Sequence, residues 1–121
     1  MIPFMKYDIM PRIRVVERES GTIALGPGKA DLLDAIAHSG SIRAAAEELG
    51  MSYMRAWTLV RTMNRAFLTP LVEKSRGGAQ QGGASLTARG REVLVAYRAM
   101  EETAARAIAA EWKRLRRHLK R

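Results

Sequence analysis

The sequence predicts a mainly α-helical fold of the α+β class, with four helices and two β-hairpins in a single domain over residues 1–121. Three observations lead to this prediction. Apolar residues recur every three or four positions in four segments, β-branched residues alternate with polar ones near the N-terminus, and two short apolar segments flank a glycine-rich stretch. A chain of 121 residues also has the length of one domain.

The N-terminal part, residues 1–27, is predicted to be a β-hairpin extension. Residues 12–18 alternate and are rich in β-branched side chains, and residues 22–25 supply the returning strand. Ser20-Gly21 lies between them and is typical of a turn. Pro27 then favours the first turn of a helix, because its fixed φ angle matches helical geometry.

Residues 28–86 are predicted to form a helix-turn-helix followed by a wing. The apolar positions fit helices with a short turn between the second and the third, and these helices cover residues 28–39, 42–49 and 53–67. Gly50 can adopt the left-handed conformation that a sharp turn requires. Ser41 and Ser52 can cap the second and third helices through their hydroxyl oxygens.

The wing is predicted from two short strands, residues 71–74 and 84–86, around a polar loop with two glycine pairs. Lys74 and Arg76 flank this hairpin, and Gln80 and Gln81 mark its tip. Because basic side chains beside a hairpin favour contact with phosphates, we expect this hairpin to lie against a nucleic-acid backbone.

Residues 87–121 are predicted to form a long C-terminal helix with a basic tail. Apolar positions recur every three or four residues from 93 to 119, and a helix from 87 to 119 would be about 50 Å long. A compact domain of this size is only about 35 Å across. We therefore expect the far half to extend beyond its own domain and to pair with a second copy, giving a homodimer.

Charge points to a polyanionic partner. The chain has 21 Lys and Arg against 12 Asp and Glu, a net charge of +9, and residues 1–40 contribute none of this excess. Nucleic acid or an anionic membrane is the expected partner class for such a surface. No apolar segment is long enough to span a bilayer and no secretory signal is recognisable, so we expect a cytoplasmic protein that does not insert into membranes.

The same composition argues against an enzyme or a metalloprotein. Cysteine is absent, which excludes disulfides, thiolate metal ligands and cysteine nucleophiles, and the two histidines have no partners at metal-ligand spacing. No catalytic arrangement of carboxylates or of Ser, His and Asp stands out. We therefore expect no catalysis, no metal and no cofactor, and the sequence gives no sign of a small-molecule effector and leaves open whether one acts.

Double-stranded DNA is the expected partner of the helix-turn-helix. Arg55 can donate two hydrogen bonds to a guanine edge, Tyr53 and Met54 can contact methyl groups or sugars, and Arg61 and Arg65 fall where phosphates would lie. The full set of candidate DNA-binding residues is Ser41, Arg43, Ser52, Tyr53, Met54, Arg55, Thr58, Arg61, Arg65, Lys74, Arg76, Gln80 and Gln81.

Three other features can be explained by folding alone, without DNA contact. Trp57 is expected to be a half-buried core residue, with stacking on DNA as the alternative, since tryptophan is mostly buried. Asn64 is expected to satisfy nearby backbone groups. The basic run 113–121 has two readings: contact with DNA or an anionic membrane, or cations placed favourably at a helix C-terminus.

Two segments together resemble the DNA-binding domain of the molybdate-responsive, ModE-type regulators, which are related to LysR-type helix-turn-helix proteins. They are residues 39–64, SGSIRAAAEELGMSYMRAWTLVRTMN, and residues 71–94, LVEKSRGGAQQGGASLTARGREVL. The Ser-Tyr, Ala-Trp and Met-Asn pairs and the glycine-rich wing carry the resemblance, which covers roughly residues 28–110. It implies a winged helix-turn-helix that binds operator DNA as a dimer.

The chain departs from this family in two respects. Members that sense molybdate carry a further oxyanion-binding region after the long helix, and we expect none in this chain. The wing of relatives is richer in glycine and carries a lysine near its tip, whereas this wing has Ala79-Gln80-Gln81. The leading function is thus a sequence-specific, homodimeric transcriptional regulator. The alternatives are a sequence-tolerant DNA-coating protein and an interaction partner of a full-length regulator.

Overall fold

The computed structural model describes residues 6–75 and 82–121. It is mainly helical, with two separate two-stranded antiparallel sheets, and it confirms the predicted α+β winged helix-turn-helix. The elements in chain order are β1 Val15–Val16, β2 Ile23–Leu25, α1 Pro27–Ser39, α2 Ile42–Glu48, α3 Tyr53–Ala66, β3 Val72–Lys74, β4 Ala84–Leu86, α4 Ala88–Ala107 and α5 Ala109–Arg116.

The N-terminal hairpin forms as predicted, but its first strand is only two residues long, where the sequence predicted 12–18. Val15 pairs with Leu25 and Val16 with Ile23, with a register shift between the two valines that disrupts the ladder. Both valines are exposed, so little burial favours a longer strand. Gly21 occupies the turn with φ +75°, a conformation that glycine adopts without steric cost.

The core lies where α1 packs against α2, α3, β4 and α4. Leu32, Leu33 and Ile36 of α1 are completely buried and make this helix the centre of the domain. Ala35 of the same helix is also buried, whereas Ala37 is exposed. Small side chains on α2, Ala45 and Ala46, are also buried, as close packing between neighbouring helices requires.

Asn64 joins α3 to the first wing strand. Its side-chain oxygen accepts hydrogen bonds from the backbone N–H groups of Leu71, at 2.9 Å, and of Val72, at 3.1 Å, and its amide nitrogen donates to the Val72 carbonyl at 3.1 Å. Leu71 and Val72 are buried, so these backbone groups depend on a protein partner in place of water. The expected role of Asn64 is confirmed.

The start of α4 rests on the same segment. Thr87 donates its backbone N–H to the Leu71 carbonyl at 2.9 Å, and its hydroxyl both donates to the Pro70 carbonyl and accepts from the Gly90 N–H. Gly90 is buried against the Leu71 backbone so closely that a Cβ atom on Gly90 would lie 2.1 Å from the Leu71 oxygen. The wing and α4 are therefore joined by direct backbone packing.

The predicted single helix from 87 to 119 is wrong in its length and continuity. The helix is interrupted at Ile108, whose ψ angle of 9° departs from helical geometry, and the second part ends at Arg116. Neither proline nor glycine lies at the break. Leu94 and Tyr97 are the last core residues of α4, so tertiary packing no longer supports the helix beyond them.

Two side chains of α4 hold other parts of the fold. The Arg98 guanidinium bonds to Asp31 and Asp34 of α1 and to Glu101. Burial lowers the pKa of Arg98, but these carboxylate hydrogen bonds outweigh it and raise the pKa above its usual value. The Tyr97 hydroxyl donates to the Ile13 carbonyl at 2.7 Å and so fixes the N-terminal segment to α4.

Tyr97→Phe tests this link through its pH dependence. Burial, and then the charge of Glu101, raises the pKa of Tyr97 above its usual value of 10.0. The neutral phenol therefore contributes its full stabilisation below pH 10, and this contribution declines as pH rises toward the folded-state pKa. In urea unfolding, Tyr97→Phe should cost about 1 kcal/mol at pH 8 and a smaller amount at pH 10.5. An equal cost at both pH values would contradict the assignment.

Candidate nucleic-acid interface

A tight turn sets the position of α3. Gly50 has φ +68° and ends the second helix, and the Met51 N–H donates back to the Ala46 carbonyl at 3.0 Å. Ser52 then caps α3, its hydroxyl oxygen accepting the Arg55 N–H at 3.1 Å. Met51 is half-buried and packs against the core. This turn leaves the first turn of α3 on the surface.

The first turn of α3 presents a mixed aromatic, apolar and cationic surface. Tyr53 is 36% exposed and Met54 68% exposed, and Arg55 and Thr58 are exposed with them. The Thr58 hydroxyl donates to the Met54 carbonyl at 2.9 Å, so its oxygen remains only as an acceptor. These four predicted residues therefore lie together at one accessible helix end.

Two guanidinium groups stack on aromatic rings beside this turn. Arg43 of α2 lies 4.5 Å from the centre of the Tyr53 ring, and Arg61 lies 5.0 Å from the centre of the Trp57 ring. Such contacts hold the aromatic ring and the cation together at the surface. The expectation that Trp57 is a core residue is wrong: it is 37% exposed, because the inner face of α3 is filled by Ala56, Val60 and Met63.

Trp57 lines a cleft of about 380 Å³ between α3 and the wing. Tyr53 and Arg61 of α3 and Lys74 of β3 line the same cleft, together with one carboxylate, Glu73. Of the predicted phosphate contacts, the structure thus brings Arg61 and Lys74 together. Arg65 instead lines a groove of about 580 Å³ between α3 and the N-terminal hairpin.

The base of the wing is joined to the start of α2. Ser41 pairs with Gly83 in an isolated antiparallel bridge, the Ala84 N–H donates to the Gly40 carbonyl at 2.8 Å, and the Ser75 N–H donates to the Gly83 carbonyl at 2.9 Å. The Ser41 hydroxyl oxygen accepts the Ala44 N–H at 2.9 Å and so caps α2, as predicted. The predicted wing residues Arg76, Gln80 and Gln81 lie outside the described residues.

Lys29 is a cation near this surface that the sequence analysis did not select. Its ammonium group donates to the Ile23 carbonyl. Burial, and then the nearby positive charge of Arg55, lowers the pKa of Lys29. Lys29 lies in the first turn of α1, far from α3 in sequence, so no spacing rule could connect it to Arg55 before the fold was known.

The cations of this surface are not neutralised by neighbouring carboxylates. Within residues 6–75 and 82–121, no ion pair joins an Asp or Glu to any of Arg43, Arg55, Arg61, Arg65 or Lys74. In the same ranges, no group of three or more His, Asp or Glu residues is arranged to hold a metal ion. Nor is any described helix both long enough and apolar enough to cross a membrane.

Residues 29–91 match the family described as bacterial regulatory helix-turn-helix protein, lysR family. The chain is 41% identical over 86 residues to the molybdenum-pterin-binding protein MopB of Rhodobacter capsulatus, covering 71% of this chain and 32% of that protein. It is 41% identical over 71 residues to the DNA-binding transcriptional dual regulator ModE of Escherichia coli strain K12, covering 59% of this chain and 27% of ModE.

These relatives confirm the resemblance to ModE-type proteins, and the chain spans about a third of their length. The fold is similar to that of the protein in the crystal structure of the CbnR_DBD-DNA complex. The TM-score is 0.58 at 24% sequence identity, and the match covers 73% of this chain and 95% of the other. The match supports the winged fold.

Proposed function

Because the chain belongs to the lysR family of bacterial regulatory helix-turn-helix proteins, we propose that it is a DNA-binding transcriptional regulator and not an enzyme. The observation that supports this best is the exposed first turn of α3, capped by Ser52 and flanked by cations without carboxylate partners. A helix end of this kind fits the major groove of B-DNA. The proposal places the chain in the cytoplasm, with the bacterial chromosome.

In this proposal α3 reads the bases. Arg55 donates to a guanine edge, while Tyr53 and Met54 contact thymine methyl groups or sugars. Thr58 offers one acceptor, to a base amino group on the next helical turn. Arg43 stacks on the Tyr53 ring and holds it outward, which lowers the conformational entropy lost on binding.

The cleft between α3 and the wing receives the sugar-phosphate backbone. Arg61 and Lys74 lie on its two sides and contact phosphates, and the Trp57 ring packs against a sugar. Ser41, Ser52 and Arg65 add contacts at the margins. Arg76, Gln80 and Gln81 keep the DNA-binding role that the sequence predicts for them. Lys29, close to Arg55, adds a further cation.

Two single substitutions separate base reading from phosphate contact. Arg55→Ala should weaken binding to the preferred site by about 1–3 kcal/mol and leave binding to random DNA nearly unchanged. Arg61→Ala should weaken binding to both DNAs alike and reduce the slope of log affinity against log salt by about 1. Fluorescence anisotropy with a site selected from genomic fragments measures both effects. Arg106→Ala, an exposed change on α4, is the control.

Either of two results would contradict these roles. An equal loss on specific and random DNA for Arg55→Ala would remove its base-reading role. If random DNA competes as well as every genomic fragment at physiological salt, the chain is a sequence-tolerant DNA-coating protein instead. A regulator's partner without DNA affinity of its own would show no binding in either assay.

We also propose that two copies pair through the C-terminal helices. Met100, Ile108 and Leu115 recur on α4 and α5 and are 45%, 41% and 56% exposed, an apolar stripe that a second copy would cover. The pairing would set two α3 helices about 34 Å apart, one turn of DNA. Sedimentation equilibrium should give a dimer mass, and Met100→Glu with Leu115→Glu should give a monomer mass.

A further inference from the structure

A second cationic surface lies at the far end of α5, away from the helix-turn-helix. Seven of the described residues line a cleft of about 340 Å³, and five of these seven are basic: Lys6, Arg116, Arg117, Lys120 and Arg121, with Tyr7 and Leu119. None of these seven residues belongs to α1, α2, α3 or the wing. The cleft is thus built from the N-terminal segment and the C-terminal end of the described chain.

Within residues 6–75 and 82–121, no carboxylate side chain neutralises Lys6, Arg117, Lys120 or Arg121 of this cleft. All 12 carboxylate side chains of the sequence lie in the described ranges, yet none lines the cleft and none forms an ion pair with Lys6, Arg117, Lys120 or Arg121. Asp8, the carboxylate side chain closest to Lys6 in sequence, accepts the Ile9 N–H at 2.8 Å, and Glu111 pairs with Arg114 outside the cleft at 3.6 Å. Like charges gathered in this way repel one another, and a bound anion would relieve that repulsion.

Helix-end electrostatics do not explain the arrangement. Cations in the last turn of a helix are favoured by its dipole, and that accounts for Arg116 at the end of α5. It does not account for Lys6, which reaches the cleft from the other end of the sequence. Nor does it account for Lys120 and Arg121, which lie beyond the helix and still line the cleft.

We propose that this cleft binds a small anion that carries several phosphate groups, such as a tripolyphosphate chain. Lysine and arginine are the side chains that bind phosphate, arginine through two parallel hydrogen bonds. The volume is at the lower end of the range of small-ligand pockets. Tyr7, which Lys6 approaches at 5.6 Å, supplies an aromatic wall. The site is independent of the proposed DNA surface.

The test titrates the whole chain with inorganic tripolyphosphate by isothermal calorimetry at 150 mM salt. The triple variant Lys6→Gln, Arg117→Gln and Lys120→Gln removes three exposed cations of the cleft. The matched control, Arg12→Gln, Arg18→Gln and Lys113→Gln, removes three exposed cations outside it. We expect one site per chain, an affinity loss of at least about tenfold for the cleft variant and of less than about threefold for the control.

A parallel arm distinguishes free polyphosphate from the phosphates of DNA. The cleft variant should bind a selected DNA duplex within about twofold to threefold of the wild type, whereas Arg61→Ala should not affect tripolyphosphate. If Arg61→Ala left DNA binding unchanged, that result would count against the proposed function and not against the tripolyphosphate site. Absence of tripolyphosphate binding to the wild type, equal losses in the cleft and control variants, or a tenfold DNA loss in the cleft variant would overturn the proposal.

Discussion

Gly90→Ala is expected to destabilise the protein by about 3 kcal/mol or more, because its added Cβ would make the shortest contact of any described glycine. The added Cβ would lie 2.1 Å from the Leu71 oxygen and 3.0 Å from its carbonyl carbon. Both are backbone atoms, and Leu71 is completely buried and bonded to Asn64 and Thr87. No side-chain rotation can relieve this contact, so α4 must move away from the wing.

Thermal unfolding followed by circular dichroism measures this effect, with an expected fall in Tm of roughly 12 °C or more. Gly28→Ala is the matched control. Gly28 lies in the first turn of α1, and a Cβ there would have no atom within 4 Å. Alanine favours a helix over glycine by up to ~1 kcal/mol, so this control should be neutral or slightly stabilising. A Gly90→Ala protein as stable as wild type would contradict the packing of α4 on Leu71.

Asn64→Ala is expected to cost about 2–4 kcal/mol, because it leaves the N–H groups of Leu71 and Val72 and the Val72 carbonyl without partners in a buried segment. It should also weaken specific DNA binding, since it frees the wing from α3. Urea unfolding measures the first effect. Thr62→Ala, which removes an exposed hydroxyl bond on the same helix, should change stability by less than about 0.5 kcal/mol.

Asn64→Asp separates the two halves of this contact. An aspartate keeps an oxygen for both N–H groups but loses the donor to the Val72 carbonyl, so the loss should be smaller than that of Asn64→Ala. If Asn64→Ala and Asn64→Asp both caused only a small loss of stability, the three hydrogen bonds would not be what holds the wing to α3. If aspartate were the more damaging, repulsion between its carboxylate and the Val72 carbonyl would dominate.

The helices and their caps were predictable from the sequence because they depend on local chemistry. Ser41, Ser52 and Thr87 each accept a backbone N–H three residues later, and each stands directly before an apolar helical pattern. Gly50 is the residue in the turn whose backbone needs positive φ. Such signals lie within a few residues of one another, so no knowledge of tertiary contacts is required.

The features that escaped prediction depend on distant residues. Trp57 is at the surface because three smaller side chains fill the inner face of α3, a matter of packing against other elements. The long helix breaks at Ile108, well beyond its last core residue, Tyr97, with no local breaker to mark the place. Lys29 is near Arg55 only because α1 and α3 are neighbours in the fold.

The junction of wing, α2, α3 and α4 has a consequence for DNA shape. Backbone hydrogen bonds at Gly40, Gly83 and Leu71, with the side chain of Asn64, join the wing to the helices of the proposed DNA-reading surface. We therefore expect the curvature in a complex to come from the duplex, whose elastic cost depends on sequence. Between two DNA sites with the same base contacts, we expect the protein to bind more tightly to the one that has easily kinked TA or CA steps at the base pairs it does not touch. A site with a stiff A-tract at those base pairs should bind less tightly.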